Sequence, residues 1–189
     1  MAGSCAYMKT TPLQLKHSTN RSPCPLALLL IPITLACFTL APQARATCQD
    51  ACLSNDNTVQ GDDALISLTT GTNNTAIGFQ SLHSNATASF NTAIGWEALA
   101  ANTTGDQNTA NGNGALFDNT SGNNNTATGS AALGSNTTGS VNTANGSSAL
   151  GDNTTGFANT ADGDTALESN TIGSENTALG DNALGSNTT

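Results

Sequence analysis

A repeat of 17 residues runs from Asn57 to the last residue, Thr189, and constrains the fold more than any other feature of the chain. Each block reads N-T-A-x-G-x-x-A-L-x-x-N-T-x-G-x-x, as in residues 91–107, NTAIGWEALAANTTGDQ. All eight blocks have Asn at position 1, Thr at position 2, Gly at position 5 and Leu at position 9, although the eighth stops after fourteen residues. One such unit cannot bury its own apolar side, so the periodicity predicts repeats that stack on their neighbours.

The composition of a block predicts strands and turns rather than helices. Seventeen residues with two Gly positions are too few for two packed helices, and Asn, Thr and Gly favour turns and caps. We therefore expect an all-β fold, a parallel β-solenoid or β-roll of eight coils over residues 57–189. Each coil should hold two short strands. The Gly residues at positions 5 and 15 should supply positive φ angles. With coils about 4.8 Å apart, the stack should be roughly 40 Å long.

The invariant apolar positions are expected to point inward, and the repeated Asn residues to form ladders of amide hydrogen bonds from coil to coil. The predicted Leu ladder at position 9 consists of Leu65, Leu82, Leu99, Leu116, Leu133, Leu150, Leu167 and Leu184. The predicted Asn ladder at position 1 consists of Asn74, Asn91, Asn108, Asn125, Asn142, Asn159 and Asn176, and position 12 should form a second one. Variable positions, with most acids and the aromatic residues Phe79, Trp96, Phe117 and Phe157, should face water.

Position 12 also has a competing interpretation. At this position, six Asn residues stand two before Thr or Ser and match the N-glycosylation sequon: Asn85, Asn102, Asn119, Asn136, Asn153 and Asn187. A buried ladder cannot carry glycans, so the two interpretations exclude each other. We favour the ladder.

The charge distribution excludes one class of function. All four basic residues lie within residues 1–45, and all thirteen acidic residues lie from Asp50 onward. Nucleic-acid binding needs Lys and Arg to neutralise phosphates, so we expect no nucleic-acid partner. Attraction to an anionic membrane is disfavoured for the same reason. Acidity with few aromatics is also compatible with disorder, but a disordered tail would not need fixed Leu and Gly columns.

Residues 1–46 are predicted to be a secretory signal peptide. Basic residues precede an apolar run over 26–41, which Pro32 interrupts, and residues 44–46 (Ala-Arg-Ala) resemble a cleavage site. An uncleaved anchor is the alternative, although the run is short for a membrane span. The mature chain should begin at Thr47, be secreted or exposed at the cell surface, and not insert into a membrane.

Residues 47–56 are predicted to cap the first coil. They contain the two cysteines of the mature chain, Cys48 and Cys52, and in an exported protein these favour a disulfide over free thiols. A metal site is less favoured, because no further Cys lies beyond this pair and His83 stands alone at a variable position. We expect no cofactor.

The motif N-T-A-x-G-x-x-A-L resembles the head repeats of trimeric autotransporter adhesins, the YadA-like or Hep/Hag head, and similar tracts in phage tail fibres. The resemblance covers residues 57–189. It implies a β-roll in which Thr92, Ala93, Ile94 and Gly95 form the strand and turn of one coil, three rolls associating side by side, and a role in attachment to surfaces. The family's repeat is usually shorter, and no stalk or anchor pattern follows the repeats here.

Two functions follow as hypotheses. The first is a non-enzymatic extracellular adhesion module, a homotrimer or other self-associated rod with an unidentified surface ligand. One Leu and two Ala per repeat make a thin core, which also favours self-association. The alternative is an ice-binding solenoid that uses the Thr columns at positions 2 and 13. Catalysis is not expected, because the mature chain offers one His and no Lys or Arg. We interpret the neighbouring acids, such as Asp62 and Asp63, as solvated surface charge rather than a Ca²⁺ site.

Overall fold

The computed structural model describes the backbone of Ala51–Leu53 and all of residues 55–189. The predicted signal peptide at 1–46 lies outside the described residues, as does Cys48. For Cys52 only the backbone is described, so the disulfide stays a prediction. No helix in the described part of the chain is long and apolar enough to cross a membrane.

The described residues form one sheet of nine short strands in sequence order. The first strand, β1, pairs antiparallel with β2, and β2 to β9 pair in parallel. The register advances by one repeat at each step, so that Thr75 lies beside Thr92. The prediction of an all-β parallel solenoid is confirmed. The strands are β1 Ala51–Leu53, β2 Asn57–Gln60, β3 Thr75–Ile77, β4 Thr92–Ile94, β5 Thr109–Asn111, β6 Thr126–Thr128, β7 Thr143–Asn145, β8 Thr160–Asp162 and β9 Thr177–Leu179.

Each coil holds one strand rather than the two we predicted. The segment around the Ala-Leu pair is a run of turns, because positions 7 and 9 have left-handed backbone angles, as in Glu97 (φ 52°) and Leu99 (φ 53°). Left-handed residues interrupt an extended strand. The turns still bond from coil to coil, since the Leu99 amide donates to the Ala115 carbonyl at 3.0 Å. Hydrogen bonding therefore continues around the coil without a second strand.

The core is a single file of Leu side chains flanked by Ala. The Leu residues at position 9 are fully buried from Leu82 to Leu167, Leu65 is 2% exposed, and Leu184 in the eighth coil is 52% exposed. Ala at position 3, the middle of each strand, alternates with exposed neighbours, as in β6, where Ala127 is buried between two exposed Thr residues. The inner face of the sheet therefore packs on the Leu file, and its outer face carries positions 2 and 4.

The two Gly positions serve different purposes. Position 5 has the predicted positive φ, for example 139° at Gly146, and a Cβ there would also collide with the Gly163 carbonyl of the next coil. The prediction of positive φ at position 15 is wrong, since none of those Gly residues has it. A Cβ on Gly139 would instead meet the Gly156 carbonyl oxygen and the Asn136 amide oxygen. Position 15 needs Gly because neighbouring coils approach too closely for a side chain.

Ala88 is the exception at position 15, and the hydrogen-bond pattern changes beside it. Elsewhere the position-13 amide donates to the position-13 carbonyl of the next coil, as from Thr103 to Thr120 at 3.0 Å. Among the described residues, the Ala86 amide makes no such bond to the third coil. At the other position-15 residues, a Cβ would meet the backbone of the next coil. The junction between the second and third coils therefore has fewer backbone hydrogen bonds than the junctions on either side of it.

We expect Gly146→Ala to destabilise the solenoid by about 2–5 kcal/mol, because it adds a strained φ angle and a steric clash. The matched control is Gly151→Ala. Gly151 has no positive φ, and the third coil already carries Ala100 at the equivalent position 10. This change should cost less than about 1 kcal/mol. Denaturant unfolding followed by circular dichroism measures both, and equal losses would contradict the assignment.

Candidate functional site

The Asn residues at position 12 form a buried amide ladder along the rod. Asn136 shows the pattern: its Nδ2 donates to Asn119 Oδ1 at 2.8 Å, and its Oδ1 accepts from Asn153 Nδ2 at 2.9 Å. The same Nδ2 also donates to the Gly139 carbonyl three residues on, at 3.0 Å. The ladder runs from Asn85 to Asn187. It joins each coil both to its neighbour and to its own backbone.

The Asn residues at position 1 are also buried, but they bond mainly to backbone. Asn125 Oδ1 accepts from the Asn142 amide at 3.0 Å, and its Nδ2 donates to the Gly139 carbonyl at 2.9 Å. Amide-to-amide bonds, such as the one from Asn125 Nδ2 to Asn108 Oδ1 at 3.1 Å, occur in only some coils. In the eighth coil, Asn176 Nδ2 is buried with no partner among the described residues. The position-1 side chains thus bond mainly to backbone groups, and they form a continuous amide-to-amide ladder in only part of the stack.

The two Asn columns meet at the position-15 carbonyl. The Gly139 oxygen accepts from both Asn125 and Asn136, one amide from each column. A position-15 carbonyl that accepts two Asn side chains occurs in six coils. It was not predicted from the sequence. The spacings from position 1 and position 12 to position 15 were visible, but they do not reveal which backbone oxygen lies between the side chains. The carbonyls are those of Ala88, Gly105, Gly122, Gly139, Gly156 and Gly173.

This geometry bears on the sequons. The five position-12 sequon Asn residues from Asn85 to Asn153 are 0% exposed, and their Nδ2 atoms donate to protein oxygens. A glycan is attached through that nitrogen, so the folded rod cannot carry one at these positions. Asn187, in the eighth coil, is only partly buried.

We expect Asn136→Ala to lower the free energy of unfolding by about 2–4 kcal/mol, because it deprives buried amide and carbonyl partners of their hydrogen bonds. Asn113→Ala is the control, since Asn113 is exposed and its side chain makes no hydrogen bond in the described structure. That change should lie within about 0.5 kcal/mol of the parent. Chemical denaturation of the purified variants gives both values. An Asn136 variant as stable as the control would refute the role of the ladder.

The two Thr columns differ in what their hydroxyl groups do. At position 13 the hydroxyl bonds to the next coil, as from Thr103 to the Thr120 carbonyl at 2.9 Å and from Thr120 to the Thr137 carbonyl at 3.0 Å. At position 2 the side chains stand on the outer face of the sheet, and the Thr126 and Thr143 hydroxyls make no hydrogen bond within the described protein. Of these two columns, position 2 is the one whose hydroxyl groups are free to contact a ligand.

The acidic residues lie on the surface. The pairs Asp62 with Asp63 and Asp162 with Asp164 are exposed, and the described residues contain no group of three His, Cys, Asp or Glu side chains placed to hold a metal ion. Asp162 Oδ1 accepts from Asn145 Nδ2 at 2.8 Å, a contact between adjacent coils on the outer face of the sheet.

An aromatic surface covers part of the second to fourth coils. The rings of Phe79 and Trp96, both at position 6, stack with centroids 6.5 Å apart and planes 14° apart. Beyond Trp96, an open groove of about 330 Å³ extends to Phe117, with Glu97 and Asp118 on its walls. The sequence predicted that these aromatics face water. Two aromatics one repeat apart could have indicated the stack. That position 6 and position 10 of the next coil line one groove could not be read from the sequence, because it depends on the turns between them.

No family model, curated protein or solved structure matches the chain, so similarity to known proteins places it in no family.

Proposed function

We propose that this protein is a non-enzymatic extracellular structural and adhesion module, a rod that binds other surfaces through its sides. The observation that carries the proposal is where the repeats differ. Buried positions are nearly identical in all coils, whereas the exposed positions 6, 7, 10 and 11 change from coil to coil. Such a division is typical of solenoids that use a uniform scaffold to present a binding surface.

The exposed large apolar side chains give the sides something to bind with. Phe79, Phe90, Trp96 and Phe157 are each more than 40% exposed. Exposed apolar surface commonly marks sites of protein interaction. The same side chains support self-association of rods side by side, with a homotrimer as the proposed form.

The adhesion proposal is tested with beads coated with the protein. The control is a rod whose second to fourth coils carry the exposed residues of the sixth coil at positions 6, 7, 10 and 11, for example Trp96→Ser and Glu97→Ser in the third coil. Because the buried positions are unchanged, this control should fold equally well by circular dichroism. We expect the parent beads to adhere to cell or matrix surfaces at least five times more than control beads. Adhesion no greater than that of bare beads would refute the proposal.

Self-association is tested by sedimentation equilibrium on the same two proteins at micromolar concentration. A trimeric mass for the parent chain supports side-by-side rods. A folded monomer would contradict this part of the proposal without affecting adhesion.

The position-2 Thr column supports ice binding as the second candidate. It places a hydroxyl and a methyl group about every 4.8 Å on a flat parallel sheet, with the hydroxyls free of protein partners. Position 4 on the same face varies, with Ile94, Asn111 and Thr128 in successive coils. The surface therefore has one regular column of Thr side chains instead of two.

Thermal hysteresis of the purified protein tests this second function. If the column binds ice, Thr126→Lys should reduce the hysteresis several-fold, because a charged side chain interrupts the middle of the column. Ser130→Lys introduces the same charge in the same coil at position 6 and should leave hysteresis unchanged. A parent protein with no measurable hysteresis would eliminate ice binding.

A further inference from the structure

The groove beside Trp96 exists because the aromatic column stops there. Phe79 stacks against the indole from the preceding coil. In the following coils position 6 holds Asn113 and then Ser130, so no third ring continues the stack. Gly114 and Gly134 form part of the groove lining, and their lack of side chains leaves the space open. One side of the indole therefore borders solvent instead of another aromatic ring.

The other walls of the groove are aromatic and acidic. Phe117 is 38% exposed and Trp96 is 50% exposed. Glu97 and Asp118 line the same groove, and the described structure pairs neither residue with a cation, because residues 55–189 contain no Lys or Arg. Residues 55–189 carry twelve acidic side chains and no Lys or Arg, so the potential around the groove is negative. Two aromatic rings next to two unneutralised carboxylates complement a positively charged group.

We propose that this groove binds the cationic side chain of an arginine or lysine presented by a basic polypeptide. This inference rests on the proposed adhesion function and names the chemistry of its partner. The cation lies against the electron-rich face of Trp96, the aromatic side chain that binds cations best, while Glu97 and Asp118 accept its hydrogen bonds. Arginine is the better fit, because its planar guanidinium stacks on an indole and pairs with a carboxylate at the same time.

Other ligand classes fit less well. An anionic glycan or a nucleic acid would be repelled by Glu97 and Asp118, with no basic side chain to offset the repulsion. A neutral oligosaccharide could stack on Trp96, but it would gain nothing from the negative potential around the groove. Charge complementarity therefore selects the basic polypeptide.

The chain provides its own reporter, because Trp96 is its single tryptophan. Acetylated hexa-arginine is titrated into the full chain at low salt while the indole fluorescence is recorded. We expect saturable quenching, with hexa-lysine binding several-fold more weakly. Acetylated hexa-glutamate and a neutral hexasaccharide of glucose should cause no change.

Two double variants separate the groove from general charge. Glu97→Gln with Asp118→Asn removes the groove carboxylates, and we expect the affinity for hexa-arginine to fall at least fivefold. Glu168→Gln with Asp152→Asn removes the same charge from the sixth and seventh coils, and it matches the first pair in exposure. This control should change the affinity less than twofold. Both variants retain every buried position, and circular dichroism verifies their folding.

The inference is overturned if hexa-arginine fails to quench Trp96, if both double variants weaken binding equally, or if the neutral hexasaccharide binds and hexa-arginine does not. Its failure is distinct from failure of the adhesion function. If the beads adhere but hexa-arginine leaves the fluorescence unchanged, cation binding in the groove is refuted and the adhesion function stands. If hexa-arginine quenches the fluorescence specifically but the beads do not adhere, cation binding in the groove stands and the adhesion function is refuted.

Discussion

The solenoid depends on one repeated hydrogen-bonding arrangement, in which the position-15 carbonyl accepts two Asn side chains. At Gly139 these come from Asn125 and Asn136. Burying an amide without partners is costly, so the arrangement is completed in each of the six coils that have both Asn residues and a position 15. This requirement explains why both Asn columns are so constant. It also explains the Gly at position 15, because a residue without a side chain lets the coils approach closely enough for the ladder to continue.

The polar ladders compensate for a core that buries few apolar side chains per coil. Each of the first seven coils contributes one buried Leu and small Ala side chains, and adjacent coils are joined by hydrogen bonds. Stability in such a stack is approximately the sum of coil and interface contributions. The side chains at positions 6, 7, 10 and 11 are not part of the Asn ladders, which leaves them free to diverge and to form local features such as the groove between Trp96 and Phe117.

Much of the fold could be predicted because the signal repeats eight times. The parallel solenoid followed from the spacing, and the structure buries Leu99 and Asn102 where the periodicity placed them. The single strand per coil was missed because Leu99 adopts a left-handed backbone, which Leu rarely does. The reason for Gly at position 15 was missed because it arises between coils. The groove also depends on contacts between neighbouring coils, and a pattern read along one coil does not reveal them.

The exception at Ala88 has a mechanical consequence. In the proposed adhesive role, the rod would transmit force along or across its stack, and each junction would resist shear through the hydrogen bonds that cross it. The junction between the second and third coils lacks the position-13 backbone bond present at neighbouring junctions. This junction therefore resists shear with fewer backbone hydrogen bonds than the junctions on either side of it. The stacked rings of Phe79 and Trp96 belong to its two coils, one ring in each. The ring pair thus connects the two coils at the surface, and a ligand pulled away from Trp96 would load this junction directly.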